Sequence, residues 1–182
     1  MTKKKKGEKL SIISLISRYL VLMILGLFGL KLFYIIFLPI TINPVYWVLG
    51  IFYEVGKSAN LILANSYPIE IIDACVAGAA YFFLLMLNLA TPGIETLKRI
   101  KIILFSFAAF LIINILRIII LSVMYVEGSG AVELTHKLFW YLGSTIFLVV
   151  IWFVMVRVYE IERIPFYDDL KNLYDKSSFK KN

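Results

Sequence analysis

Four long apolar segments constrain the fold of this chain more than any other feature of its sequence. Residues 12–40, 71–90, 102–124 and 138–158 contain few charges, and each is near or above the roughly 18 residues that let a helix cross a bilayer. Within hydrocarbon, backbone N–H and C=O groups must be paired inside the protein, which favours helices of these lengths. The sequence therefore predicts an all-α, polytopic transmembrane bundle of about four spanning helices, forming one integral membrane domain over residues 1–182.

The apolar stretch at residues 44–66 has a different pattern. Glu54 and Lys57 interrupt its centre and Pro44 stands at its start, while its tyrosines and tryptophan are residue types that prefer the headgroup region. An interfacial helical segment on the outer side of the membrane fits this composition better than a further span.

Basic residues indicate the orientation of the spans. They cluster in the N-terminal tail, in the loop between the second and third spans, and around the tail of residues 159–182. The charges concerned are Lys3, Lys4, Lys5, Lys6, Lys9, Lys98, Arg99, Lys101, Arg157 and Arg163. The positive-inside rule puts all three clusters in the cytoplasm, which predicts a multi-pass protein of the cell membrane with both termini inside and an even number of spans. The net charge of +7 then reflects topology and contact with anionic membrane lipid rather than nucleic-acid binding.

The only cysteine, the only histidine and an arginine within a span fall at a similar depth in this topology. Cys75 lies about four residues, roughly 6 Å, below the outer end of the second span, and Arg117 lies about seven residues, roughly 10 Å, below that of the third. His136 stands where the outer loop re-enters the membrane. One cysteine and one histidine exclude an internal disulfide and a cysteine- or histidine-rich metal site, and no cofactor is predicted.

These three residues have the chemistry of a thiol nucleophile and its supporting groups. A cysteine needs a nearby base or positive charge to form the thiolate, and acyl transfer needs a cation or N–H donors for its oxyanion. An arginine within a span costs about 2.5–3.5 kcal/mol even on the permissive insertion scale, and Asn114 on the same helical face can orient it or the substrate. The alternatives are a packing role for Cys75, an interfacial or capping role for His136, and a structural ion pair for Arg117.

The cysteine lies in a patch of small residues, "ACVAGAA", at positions 74–80. On a regular helix Gly78 and Ala79 share the face of Cys75 and leave a shallow groove beside the sulfur, where a substrate backbone can approach the thiol. Close packing between helices explains the same small residues without a role for the thiol. The motif alone does not decide between the two.

At these residues the sequence resembles a short member of the exosortase/archaeosortase family, membrane transpeptidases with a Cys in one span, an Arg in the next and a His or Arg near the start of the one after. The matching stretches are "DACVAG", "NILRI" and "LTHKLF", within residues 70–150. The resemblance implies that Cys75 is the nucleophile, Arg117 the oxyanion stabiliser and His136 an acid/base, near the outer face. It also implies secreted protein substrates that end in a short motif, a transmembrane helix and a basic tail, with a lipid or other surface acceptor.

Two other classes of function are compatible with the sequence. A non-enzymatic binding module, such as a small transporter subunit, needs Arg117 to bind an anionic ligand but tolerates loss of Cys75. A purely structural membrane subunit tolerates the loss of both residues.

Overall fold

The computed structural model describes residues 2–161, 165 and 167, with residues 2–14, 25, 28, 29, 142 and 144 described by their backbone alone. The chain is mostly helical. Its elements are α1 Thr2–Phe52, β1 Val55–Ser58, β2 Leu61–Ala64, β3 Tyr67–Glu70, α2 Asp73–Val76, α3 Gly78–Ala90, α4 Thr96–Val126, α5 Val132–Leu138, a π-helical turn Phe139–Gly143, and α6 Ser144–Val158. Most of the predicted cytoplasmic tail, including Arg163, lies outside the described residues.

Three described helical segments are long and apolar enough to cross a membrane. They are Leu30–Phe52 within α1, Asp73–Ala90 and Thr96–Val126. A fourth is added if Val132–Tyr141 and Thr145–Val158, which are bent by 45° at their junction, count as one span. The helical class of the chain is confirmed, and its apolar helices are compatible with a membrane location.

The predicted helical segment at residues 44–66 is helical only as far as Phe52, and its later residues form strands instead. α1 continues through Pro39 and Pro44 and ends only at Phe52. Proline is tolerated in apolar helices of this kind because neighbouring groups can satisfy the backbone carbonyls that it leaves without a partner. Beyond α1 the chain forms a three-stranded antiparallel sheet in the order β1-β2-β3. Of the two charged residues that interrupt the apolar stretch, Glu54 therefore lies just before β1 and Lys57 lies within it.

Two-residue turns connect the consecutive strands of this sheet. Asn65 and Ser66, which link β2 to β3, both have positive φ values of 46° and 72°, as a two-residue type I′ turn requires. The Asn65 side chain also accepts a hydrogen bond from the backbone N–H of Glu54 at 3.0 Å. Ile62 and Ala64 of β2 are buried, so one face of the sheet packs on the helices. We refer to this end of the bundle as the sheet end.

Aromatic packing holds α1, α3 and α4 together below the sheet. The rings of Phe37 and Tyr81 stack with their centroids 3.7 Å apart, and Phe107 meets Tyr81 edge-on at 5.4 Å. Phe110 contributes a second edge-on contact to Tyr81 at 5.0 Å. Such pairs each contribute about 0.5–1.5 kcal/mol beyond their buried area, so they fix α3 against α4.

Candidate active site

The segment that carries the cysteine is a broken helix. α2 ends at Val76, Ala77 adopts a left-handed conformation with φ 58° and ψ 45°, and α3 begins at Gly78. A β-carbon added at Gly78 would lie 2.7 Å from the ring of Tyr34, so α1 can approach the break only where glycine stands. The break leaves carbonyl groups at the end of α2 without partners inside the helix.

Side chains of α4 bind those carbonyl groups. The Asn114 Nδ2 donates to the carbonyl oxygen of Cys75 at 2.9 Å and of Val76 at 3.4 Å. The Arg117 Nη2 donates to the same Cys75 oxygen at 3.0 Å. Both α4 side chains are buried, with Arg117 only 8% exposed. Asn114 and Arg117 thus share an acceptor, and together they fix the backbone that carries the thiol.

The three predicted site residues line one cavity of about 250 Å³. Cys75 comes from α2, Arg117 from α4 and His136 from α5, so separate elements deliver them. The complete lining comprises Pro68, Ile69, Glu70, Ile71, Cys75, Arg117, Ile118, Leu121, Ser122, Tyr125, His136 and Trp140. The three residues that the sequence singles out therefore lie around one cavity, whereas their chemical roles stay predictions.

The strand β3 forms one wall of this cavity. Pro68, Ile69, Glu70 and Ile71, which follow the segment 44–66, line the cavity. The Tyr67 ring meets the Tyr125 ring of α4 nearly edge-on, with centroids 5.9 Å apart. This contact ties β3 to α4 beside the site.

A second contact fastens the end of α1 to the loop after α4. The Tyr53 hydroxyl donates to Glu127 Oε1 at 2.8 Å. This hydrogen bond to a carboxylate raises the pKa of Tyr53, because the bond favours the protonated phenol. Two contacts therefore join the sheet end to α4 and the residue after it: one from Tyr67 in β3, and one from Tyr53, which precedes β1.

A larger apolar cavity of about 630 Å³ adjoins the site. Its lining comprises Tyr34, Ala74, Ala77, Ala79, Ala80, Phe83, Trp140, Thr145, Leu148 and Val149. Trp140 lines both cavities, and Ala74 stands directly before Cys75. The lining comes from α1, the broken segment and α6, so this cavity lies between the apolar helices.

The groove predicted beside the sulfur is not formed by Gly78 and Ala79. Gly78 is buried against Tyr34, and Ala79 lines the larger cavity. The prediction assumed one regular helix, and the left-handed residue at Ala77 breaks the spacing on which it depended. Gly78 therefore supports the site by permitting close approach of α1.

Two functional candidates were not predicted. Glu70 lines the cavity from the end of β3, which was not recognised as a strand. Trp140 lies four residues after His136, and their ring centroids are 6.3 Å apart. The i, i+4 spacing of a helix was the available signal for Trp140.

Comparison with protein-family models, with curated proteins and with solved structures found no match to this chain. The assignment of function therefore depends on the geometry of the site and on the resemblance in its motifs.

Proposed function

We propose that this protein is a membrane cysteine transpeptidase. It cleaves the C-terminal sorting signals of secreted proteins near the outer membrane face and transfers the new carboxyl end to a lipid or other surface acceptor. The observation that carries the proposal is the convergence of a buried guanidinium, the single imidazole and the single thiol on one cavity. A packing cysteine or an interfacial histidine has no need of the other two groups.

The first half-reaction forms a thioester. His136 accepts the proton of the Cys75 thiol, and the thiolate sulfur attacks the scissile peptide carbonyl. The carbonyl oxygen becomes an oxyanion that the positive charge of Arg117 stabilises. The C–N bond then breaks, the departing amine takes the proton from His136, and the acyl group stays on Cys75.

The contact between Arg117 and the Cys75 carbonyl supports this role. It holds the guanidinium beside the residue whose sulfur attacks, and a guanidinium carries five N–H donors for further acceptors. Preorganised charge of this kind needs little rearrangement during the reaction, which is the source of its catalytic value.

The larger cavity is suited to the apolar part of a sorting signal. It is lined mainly by apolar side chains and small alanines, and it meets the reactive cavity at Trp140. Small residues let another helix approach closely. We place the substrate helix there, with its cleavage site reaching past Trp140 to Cys75, and β3 limiting the access of water to the thioester.

The proposed topology follows the basic residues. The N-terminal tail and the α3–α4 loop face the cytoplasm, and the sheet end faces outward. Residues 59 and 130, in a sheet turn and in the α4–α5 loop, are then reachable from outside. A cysteine introduced at either position in a Cys75→Ala background should react with a membrane-impermeant maleimide in intact cells. Labelling only after the membrane is broken would reverse this orientation.

Cellular processing tests the function directly. In cells whose only copy is Cys75→Ala, secreted proteins with a C-terminal motif, apolar helix and basic tail should retain those tails. Mass spectrometry of C-terminal peptides measures this, with the amount of inserted protein as control. If every C terminus is processed normally in Cys75→Ala cells, the transpeptidase proposal is wrong. If Arg117→Ala cells lose the activity of this protein while Cys75→Ala cells keep it, the result would instead support the non-enzymatic binding module.

A further inference from the structure

Glu70 is the single carboxylate among the described residues that line the reactive cavity. It ends β3 and pairs in register with Leu61. Its Oε1 accepts a hydrogen bond from Asn60 Nδ2 at 3.2 Å, and the same amide nitrogen contacts the Ile71 carbonyl at 3.5 Å. The turn between β1 and β2 thus positions an exposed carboxylate at the cavity, close in sequence to Cys75. The cleavage step described above does not use it.

We propose that Glu70 binds the ammonium group of a primary-amine acceptor, so that the site selects amines over water when the thioester is resolved. This inference rests on the proposed function. An ionised carboxylate only accepts hydrogen bonds, whereas an ammonium group only donates them. Besides Glu70, the described lining includes the cation Arg117, polar side chains such as the hydroxyls of Ser122 and Tyr125, and apolar side chains. Glu70 is the carboxylate among them, so it is the side chain that attracts an ammonium group most strongly. Asn60 donates to Glu70 and leaves its charge in place.

The chemistry of this second half-reaction balances. The bound R–NH₃⁺ gives one proton to His136, which passes it to water, and the amine nitrogen attacks the thioester carbonyl carbon. Arg117 stabilises the oxyanion, and the C–S bond breaks as the C–N bond is completed. The second proton of the nitrogen passes to the Cys75 thiolate. Thioester and ammonium thereby give amide, thiol and one proton.

Glu70→Gln separates this role from a structural one. Glutamine keeps an oxygen that can accept the bond from Asn60, but it has no charge for an ammonium group. Glu54→Gln is the matched control, because Glu54 is an exposed carboxylate at the start of the sheet that does not line the cavity.

The experiment compares two nucleophiles in membranes that contain the full-length protein and its cellular substrates. One is a biotinylated primary alkylamine, which is positively charged at neutral pH, and the other is hydroxylamine, which is uncharged there. Mass spectrometry measures each product at the C termini of processed proteins. Glu70→Gln should lower alkylamine incorporation about tenfold, the effect of losing one charge-assisted hydrogen bond. Hydroxamate formation should stay within about twofold, and Glu54→Gln should change neither.

The outcomes distinguish a failure of the role proposed for Glu70 from a failure of the transpeptidase proposal. If the wild type forms hydroxamates and Glu70→Gln incorporates alkylamine normally, the role of Glu70 is wrong and the transpeptidase stands. If Glu70→Gln lowers both products equally, Glu70 supports folding or cleavage and does not select amines. If the wild type forms neither product, the transpeptidase proposal fails and the role of Glu70 fails with it.

Discussion

Two arginines bind helix ends with the same chemistry at opposite ends of the α2–α3 segment. At the sheet end, Arg117 donates to the Cys75 carbonyl at 3.0 Å. At the other end, the Arg99 guanidinium donates to the carbonyls of Asn88 and Thr91, the latter at 2.9 Å. Each arginine donates to carbonyl groups at or just after a helix end, where the helix itself supplies few N–H partners.

What differs is the surroundings of the two guanidinium groups. Arg99 lies at the start of α4 beside a loop, whereas Arg117 shares a cavity with a thiol and an imidazole. An arginine that caps a helix end is therefore no sign of catalysis by itself, and its neighbours decide the assignment. Arg99 is an internal control for every experiment on Arg117.

The largest expected effect separates these two arginines. Arg117→Lys keeps a positive charge but loses the planar fork, so substrate processing should fall about 10²–10³-fold, the range for removing an oxyanion donor. Arg99→Lys should leave processing near normal and lower stability by only about 0.5–1.5 kcal/mol, because the lysine ammonium can still donate to one of the two carbonyls. Processing rates and thermal unfolding in detergent measure both. If activity falls in proportion to the loss of stability in both Arg117→Lys and Arg99→Lys, Arg117 only caps the end of α2 and does not stabilise an oxyanion.

The two buried asparagines sharpen the same comparison. Asn114→Leu leaves the Val76 carbonyl without its side-chain donor, whereas the Cys75 carbonyl keeps Arg117, so the free energy of unfolding should fall by about 1–3 kcal/mol. Within the described structure the Asn88 side chain has no hydrogen-bond partner, although it is fully buried. Asn88→Leu should therefore be neutral or stabilising. Thermal unfolding decides this, and equal destabilisation of the two variants would contradict the assignment of Asn114.

The break in the helix gives a steric prediction. Gly78→Ala places a β-carbon 2.7 Å from the Tyr34 ring, which should cost about 1–3 kcal/mol through overpacking. A Gly78→Ala, Tyr34→Leu double variant should recover part of this stability, as unfolding measurements can show. Gly130→Ala is the control, since no atom lies within 4 Å of its added β-carbon. Equal stabilities of Gly78→Ala and Gly130→Ala would mean that α1 does not pack on the break.

The smallest expected effect concerns the fastening of the sheet end. Tyr53→Phe removes the exposed hydrogen bond to Glu127 and should change the melting temperature little. Because the pKa of Tyr53 is raised, the bond contributes below the ordinary tyrosine value of about 10 and is lost as the pH rises through the folded-state pKa. The wild type and Tyr53→Phe should therefore differ by a constant amount between about pH 6 and 9. A difference that changes across this range would point to another titrating group.

The sequence was sufficient to predict the helical class, and it singled out three residues, Cys75, Arg117 and His136, that line one cavity. Long apolar runs allow little besides helices, and a guanidinium within such a run needs a partner. Cys75, Arg117 and His136 lie on α2, α4 and α5, and these three helices meet at one cavity.

The sheet and the broken helix depended on weaker signals. Strands of four residues are too short to show a clear alternation, and Asn65 with Ser66 was the main indication of a hairpin. The left-handed conformation of Ala77 has no signature in the sequence, because alanine is an ordinary helix former. It depends on Asn114 and Arg117, which lie about forty positions away, and only tertiary structure could reveal that contact.

The central claim is that Cys75 forms a thioester with its substrate, and mass spectrometry of the peptide that contains Cys75 tests it most directly. Wild-type protein taken from actively processing membranes and quenched in acid should carry an acyl adduct on the Cys75 peptide, which hydroxylamine removes. Arg99→Lys should carry the same adduct, and Arg117→Lys and Cys75→Ala should not. An adduct in Cys75→Ala, or processing by the wild type with no adduct on Cys75, would contradict the account.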